Sequence, residues 1–378
     1  MIVNRPPMGW NTWNTYGPHI DEAMIRESAD AMVDRGFLQA GYRYLVIDDS
    51  WQEKQRDPET GRILANRERF PHGMRAMADY VHGKGLKFGL YSCCGVRTCA
   101  DYPGSYDYEF LDAQTFAELG CDYLKYDACF RPDTVNAEIL YRRMGLALKA
   151  TGRDIVYSAC NWGEYESWNW MRSTGAHLYR STGDIFDNYE SFKGIATSQI
   201  PHLACSAPNC FNDLDMLTVG MYGKGSVGTG GCNDAEYRTQ FALWCMFSSP
   251  LMLGCDVRSV SEEACRLLTN PHLIRIDQDE EARPPIVLKH PWFEDRKIFV
   301  KHLSDGEYAF AFTNFSDNAG DIHLYFENVG LPAHSGYGFE MTDAMTGESI
   351  GVQRVYMNPT VDKHDTRVFL AKLVRVGA

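Results

Sequence analysis

Short apolar runs punctuate the first 285 residues at 8–13, 42–48, 87–92, 123–127, 155–160, 178–182 and 251–256, with a seventh strand-like run near 202–206 or 214–219. Longer stretches between them carry helical periodicity. In 20–35, Ile20, Met24, Ala29, Met32 and Val33 fall on one stripe, with Asp21 and Glu22 near the N-terminal end where a helix dipole favours acids. The spacing also predicts helices over 110–119 and 137–148, and a more buried one over 237–247. Eight strands alternating with helices predict an α/β fold, a (β/α)8 TIM barrel, with a doubly wound parallel sheet as the competing arrangement. The strand count favours the barrel.

After Pro284-Pro285 the period changes to two. Segments 298–302, 308–314, 322–326, 338–343 and 366–373 alternate apolar and polar residues, and Ser304-Asp305-Gly306 suits a hairpin turn. The expected division is a catalytic barrel over 1–285 and a C-terminal antiparallel β-sandwich domain over 286–378. Composition supports the boundary, since all 12 cysteines lie between Cys93 and Cys265.

The 378 residues are 44% hydrophobic and 23% charged, ordinary for a folded protein and contrary to disorder. A net charge of −13 repels phosphate backbones and anionic membrane surfaces, so neither nucleic acid nor membrane is an expected partner. The best apolar stretch, 241–254, is interrupted by Ser248, Ser249 and Pro250, and is shorter than the roughly 18 residues of a spanning helix. Residues 1–7 lack a signal-peptide pattern, so the expected location is cytoplasmic unless a signal has been removed. The clustered cysteines read mostly as buried thiols.

Carboxylates gather at the strand ends, where barrel chemistry sits. The ends read Ile47-Asp48-Asp49, Lys125-Tyr126-Asp127, Arg180-Ser181-Thr182-Gly183-Asp184, Asn212-Asp213-Leu214-Asp215 and Asp256. One such Asp can simply cap the next helix. Several at one mouth need a cation, a proton or a ligand to offset their repulsion. Lys125 and Asp127 share a strand face, so the lysine is expected to hold Asp127 ionised, as a carboxylate nucleophile requires. Asp184, on a loop near other acids, is expected to keep its proton to higher pH and to suit a general acid. Asp187 reads as a helix cap. Lys125 and Arg180 among the acids argue against a metal centre, no zinc spacing is present, and no cofactor is expected. Gly223-x-Gly225-x-x-Gly228 matches a dinucleotide fingerprint, but more glycines and no helix follow it, so it reads as a barrel loop.

The ordered set Met8-Gly-Trp-Asn-Thr-Trp13, Ile47-Asp-Asp-Ser-Trp51, Lys125-Tyr-Asp-Ala-Cys129, Arg180-Ser-Thr-Gly-Asp184 and Asn212-Asp-Leu-Asp-Met216 resembles glycoside hydrolase family 27, which contains α-galactosidases and α-N-acetylgalactosaminidases. The resemblance implies a retaining exo-glycosidase that removes terminal α-linked galactose without a cofactor. It implies Asp127 as nucleophile, Asp184 as acid/base, and Asp48 and Asp49 as the pair binding the sugar's 4-OH and 6-OH. Lys125, Arg180 and Asp215 match further pocket residues. Trp13 and Tyr91 match aromatics lining the sugar's apolar face. Cys99 and Cys129 match a disulfide beside the pocket, and the oligomeric state stays open.

Three departures touch the pocket wall. Cys160-Asn161-Trp162 stands where α-galactosidases carry Cys-Glu-Trp, so Asn161 is the candidate at the 2-OH; Glu164 stands where the α-N-acetylgalactosaminidases have a small residue. Cys93 replaces an Asp, and Pro208-Asn-Cys-Phe211 replaces Pro-Gly-Gly-Trp. The alternatives are therefore an α-N-acetylgalactosaminidase, a β-L-arabinopyranosidase disfavoured by the intact Asp48-Asp49 pair, a non-catalytic sugar-binding barrel, and a magnesium isomerase.

Overall fold

The computed structural model describes residues 3–289 and 294–376; the expected outer domain limits, 1 and 378, lie outside the described residues. Eight parallel strands form a curled sheet: β1 (Met8–Asn11), β2 (Tyr44–Val46), β3 (Lys87–Cys93), β4 (Tyr123–Asp127), β5 (Val156–Cys160), β6 (Leu178–Arg180), β7 (Phe211–Asp213) and β8 (Leu251–Leu253). The order is β7-β6-β5-β4-β3-β2-β1-β8, which excludes the doubly wound alternative. β7 occupies neither segment expected for the seventh strand. Residues 200–205 form a 3-10 helix instead. Within the other segment, Leu217 makes a parallel bridge to Leu253, with Leu217 N–H on Met252 O at 2.8 Å and Gly254 N–H on Leu217 O at 2.9 Å. The barrel closes through this bridge rather than a β7–β8 ladder.

Around the sheet lie α1 (Trp13–Tyr16), α2 (Glu22–Asp34), α3 (Phe37–Ala40), α4 (Gly73–Gly83), α5 (Glu109–Leu119), α6 (Ala137–Ala150), α7 (Tyr189–Gln199), α8 (Asp234–Phe247), α9 (Glu262–Leu268) and α10 (Pro271–Asp277). Among the described residues no helix is long and apolar enough to cross a membrane. α2 starts where Asp21 accepts the Met24 N–H at 2.8 Å, and buries Met24, Ile25, Ala29 and Met32. Alternation sorts each strand's residues between layers. On β4, Leu124 and Tyr126 join the helix-layer core, whereas Tyr123 joins Val46, Val156, Leu178, Phe211 and Met252 in a separate interior cluster. Lys125 and Asp127 continue that inward face toward the C-terminal mouth.

The second unit is built on a six-stranded antiparallel sheet, β15-β14-β18-β11-β10-β9. Its strands are β9 (Ile286–Lys289), β10 (Arg296–His302), β11 (Glu307–Asn314), β14 (Tyr337–Asp343), β15 (Ser349–Gln353) and β18 (Thr366–Arg375). The opposing layer is two short ladders, β12 (Gly320–Asp321) with β17 (Thr360–Val361) and β13 (Leu324–Tyr325) with β16 (Tyr356–Met357). Period two divides β10 between two cores. Ile298 and Val300 face the sandwich interior with Phe310, Phe312 and Phe369, while Phe299 faces the barrel and packs on Phe247. Lys301 shares the barrel-facing side and is fully buried. Its ammonium donates to Cys245 O (3.2 Å), Ser248 Oγ (2.7 Å) and Ile276 O (2.8 Å). It thereby neutralises the negative ends of α8 and α10. This contact joins the sandwich to two barrel helices at the side, leaving the mouth open.

Candidate active site

The mouth holds a cavity of about 230 Å³. Trp13, Asp48, Asp49, Tyr91, Lys125, Asp127, Arg180, Asp184 and Asp215 all line it, as does Cys99. Six of the eight strand positions thus contribute, directly or through the loop that follows.

Asp48 sits just beyond β2. Its Oδ2 accepts Lys125 Nζ at 2.8 Å and Asn11 Nδ2 at 2.7 Å, and its own N–H donates to Thr12 Oγ1 at 3.0 Å. The lysine's direct partner is therefore Asp48, not Asp127 as the strand face suggested. Burial opposes the Lys125 charge, but Asp48 and Asp127 outweigh it and hold the ammonium above its ordinary value. Asp49 accepts the Ala100 N–H at 2.8 Å and the Ser50 N–H at 2.7 Å. Burial nonetheless pushes its carboxyl up to about 6.

Asp127 is almost fully enclosed. Oδ1 accepts the Ala128 N–H at 2.8 Å and Oδ2 accepts the Tyr91 hydroxyl at 2.9 Å, two contacts that fix the plane of the carboxylate. Burial raises its pKa, against the charges of Lys125 and Arg180 and both hydrogen bonds. The Lys125 charge favours the ionised form, as expected, but desolvation is the larger influence. Cys99 and Cys129 form a disulfide beside it, with Cα atoms 5.3 Å apart. The Tyr91 hydroxyl lies 3.7 Å from Cys129 Sγ. Among the described residues, the one His/Cys/Asp/Glu group with ligand spacing is Cys99, Asp127 and Cys129, and the disulfide already engages both its sulfurs.

Asp184 is the outer carboxylate, its side chain 62% exposed. It pairs with Arg180, whose guanidinium also meets Asp215 Oδ2 at 3.1 Å. Asp215 Oδ2 in turn accepts the Ile185 N–H at 2.8 Å, so it holds the backbone next to Asp184. Burial pushes the Asp184 carboxyl up, but the Arg180 charge and hydrogen bond outweigh it and hold it below its ordinary value. The expectation that neighbouring acids keep Asp184 protonated is thus overturned by a cation four residues away. Beneath, Asp213 is pushed up to about 6 by burial and by Asp215. The two cations, Lys125 and Arg180, offset part of this crowding.

Three sequence expectations land elsewhere. Asn161 is buried but does not line the cavity; Nδ2 donates to Glu164 O at 3.0 Å and Oδ1 accepts the Gly163 N–H at 3.3 Å. Glu164 turns outward to Arg131 at 2.7 Å. Asp256 is held by Arg258 and lies outside the lining. Asp187 caps no helix, since Asn188 caps α7. Its buried carboxylate accepts the Gly223 N–H at 2.7 Å and the Tyr237 hydroxyl at 2.9 Å. That anchor shapes the loop after residue 223, which supplies Ser226 and Val227 to the cavity wall. Gly228 is required there, because a Cβ would stand 2.2 Å from Gly223 O. The glycine run was the signal for this wall. Ile185 carried none.

A family profile described as "Alpha galactosidase A" matches residues 5–279, and one described as "Alpha galactosidase C-terminal beta sandwich domain" matches 294–371. The chain is 40% identical over 336 residues to an α-galactosidase A of Cellvibrio japonicus, covering 85% of this chain and 79% of that one. It is 37% identical over 367 residues to the α-galactosidase of Coffea arabica, covering 97% and 93%. The crystal structure of α-galactosidase I from Mortierella vinacea superposes with a TM-score of 0.91 at 31% identity, covering 100% of this chain and 99% of that one. With the acids, the two cations and the disulfide arranged around one barrel mouth, and these matches along both units, the chain belongs to the α-galactosidase family, glycoside hydrolase family 27.

Proposed function

We propose that this glycoside hydrolase, which removes galactose, works by double displacement with Asp127 as nucleophile and Asp184 as acid/base. The observation that carries the assignment is the contrast between the two carboxylates. Asp127 is enclosed and fixed by Tyr91 and Ala128, as an attacking group must be. Asp184 stands exposed at the opening, where a leaving group departs and water enters. In the first step Asp127 attacks the anomeric carbon while Asp184 gives its proton to the glycosidic oxygen. In the second, Asp184 takes a proton from water, which displaces Asp127 with net retention.

Asp48 and Asp49, deep in the cavity, accept from the sugar's 4-OH and 6-OH. Lys125 keeps Asp48 oriented while donating to hydroxyls. With Asn161 and Glu164 both turned away, the 2-OH falls to Arg180. That arrangement keeps α-N-acetylgalactosaminidase as the second reading, because no acidic side chain blocks the wall where an acetamido group would project. The substrate is a terminal α-galactoside.

The test is release from nitrophenyl α-galactoside, α-N-acetylgalactosaminide and β-L-arabinopyranoside in parallel, with the product anomer read by NMR. The expected result is preference for the first and α-galactose as the initial product. Preference for another sugar overturns the specificity; initial β-anomer overturns the double displacement.

A further inference from the structure

We propose that reduction of the Cys99–Cys129 disulfide opens a zinc site that takes Asp127 as its third ligand, so that zinc inhibits the reduced enzyme and spares the oxidised one. The inference rests on Asp127 as nucleophile and adds a control over that residue. Cys99 follows β3 and Cys129 follows β4, and the parallel pairing of those strands brings both beside Asp127. One ligand atom from each of the three residues lies within 4.8 Å of the other two. Zinc is borderline-soft and accepts thiolate sulfur and carboxylate oxygen in one coordination sphere.

The distances suit the ion once the bond is cut. Zinc lies about 2.3 Å from sulfur and about 2.0–2.2 Å from oxygen, which at tetrahedral angles sets ligand atoms roughly 3.5–3.8 Å apart. Cys99 Sγ already stands 3.8 Å from Asp127 Oδ2. The two sulfurs start closer, and side-chain rotation from Cα atoms 5.3 Å apart lets them separate. Asp127 Oδ2 accepts the Tyr91 hydroxyl at 2.9 Å and keeps a second lone pair for the ion. The same hydroxyl lies 3.7 Å from Cys129 Sγ, so one phenol supports two of the ligands from behind. Two thiolates and a carboxylate leave a negative charge over a divalent ion, and Lys125 and Arg180 line the same cavity to offset it.

The site also has an entrance. Cys99 is exposed and lines the catalytic cavity, so an ion arrives by the route the substrate uses. Three protein ligands leave a fourth position for water. Zinc held there ties up the lone pair that attacks the anomeric carbon. The redox step balances with a dithiol as reductant: the S–S bond breaks, each sulfur gains an electron and a proton, and the dithiol gives up two of each to become a disulfide. Zinc binding then releases the two thiol protons to solvent. The other ten cysteines are free thiols already, so the state of this one pair is what separates the two forms.

The test uses the full chain, oxidised or reduced with dithiothreitol that is then removed without air, and titrates each form with zinc chloride. Equilibrium dialysis reads zinc uptake, and nitrophenyl α-galactoside reads activity. The reduced form is expected to bind one more zinc per chain than the oxidised form and to lose activity at least about tenfold on doing so, with EDTA restoring the zinc-free rate. Reduced Asp127→Asn is expected to bind that zinc at least about tenfold more weakly, a readout that needs no turnover. Equal uptake by both forms, or the same extra zinc on Cys99→Ser/Cys129→Ser after reductant, overturns the site. So does uptake of several extra ions, which would mark unfolding that bares the other thiols. Zinc bound at the pair with activity intact overturns Asp127 as ligand. Failure of the oxidised, zinc-free enzyme to cleave the galactoside instead overturns the underlying galactosidase reading, and zinc uptake still decides the site.

Discussion

Arg180 bridges Asp184 and Asp215 across the barrel mouth, and through this bridge the Asp184 carboxyl is held below its ordinary value, whereas burial raises that of the enclosed Asp127. Double displacement needs the reverse bias, with the proton on Asp184 and none on Asp127. Arg180 lowers both carboxyls, so the sign is the same for each. Replacing it removes a charge that favours both anions, and each then keeps its proton to higher pH. The Arg180→Met variant is expected to move the whole bell-shaped kcat/KM profile to higher pH, with a reduced maximum. A profile that falls in height without moving would show that Arg180 does not tune these groups.

The Lys125–Asp48 pair is nearly dry, with the Asp48 side chain 2% exposed and that of Lys125 14% exposed. Removing only the lysine leaves a buried carboxylate without its cation. Lys125→Met is expected to cost about 3 kcal/mol of stability, with a further loss of activity from the missing sugar contact. Lys125→Met/Asp48→Asn should recover part of that stability, because the uncompensated charge is gone. Chemical denaturation of the four corners of this cycle checks both statements, and a single-variant loss below about 1 kcal/mol would contradict the first.

Strand ends were legible because parallel barrel strands are apolar runs, and an Asp interrupting such a run is visible in one dimension. Asp48, Asp49, Asp127, Asp184 and Asp215 all emerged that way. What failed was direction. Lys125 and Asp127 do share a face, yet the ammonium reaches across to β2, a distance set by barrel curvature. Asp184 was read from the acids around it, whereas a side chain from the same strand folds back onto it. β7 escaped because three residues, Phe211–Asp213, follow a turn with no apolar run. Asp187 resembled a cap because it precedes Asn188, the residue that caps α7.

Asp187 offers a prediction of its own. Its carboxylate satisfies the Gly223 N–H and the Tyr237 hydroxyl in a fully buried place. Asp187→Ala leaves both without that acceptor, at an expected cost of about 2 kcal/mol. The loop carrying Ser226 and Val227 loses its anchor, so KM should rise more than kcat falls. Hydrogen exchange is the direct readout, with faster exchange expected across 223–231 and little change in β4.

The Cys99–Cys129 bond closes a loop over a sequence separation of 30 and places one sulfur on the cavity wall. Chain-entropy arguments give such a link about 3.5 kcal/mol, expressed through the unfolded state. Reduction is expected to lower the unfolding midpoint and, by freeing Cys99 beside the sugar site, to raise KM. Cys99→Ser/Cys129→Ser should match the reduced enzyme and be indifferent to reductant. A reductant effect that persists in that variant would point to the other cysteines.

The assignment of Asp127 as nucleophile is the centre of this account, and covalent trapping tests it most directly. The enzyme would be turned over with a 5-fluoro-α-galactosyl fluoride, quenched with acid, digested and analysed by mass spectrometry. The account predicts a fluorogalactosyl ester on Asp127. An ester on Asp184, Asp49 or any other carboxylate would contradict it.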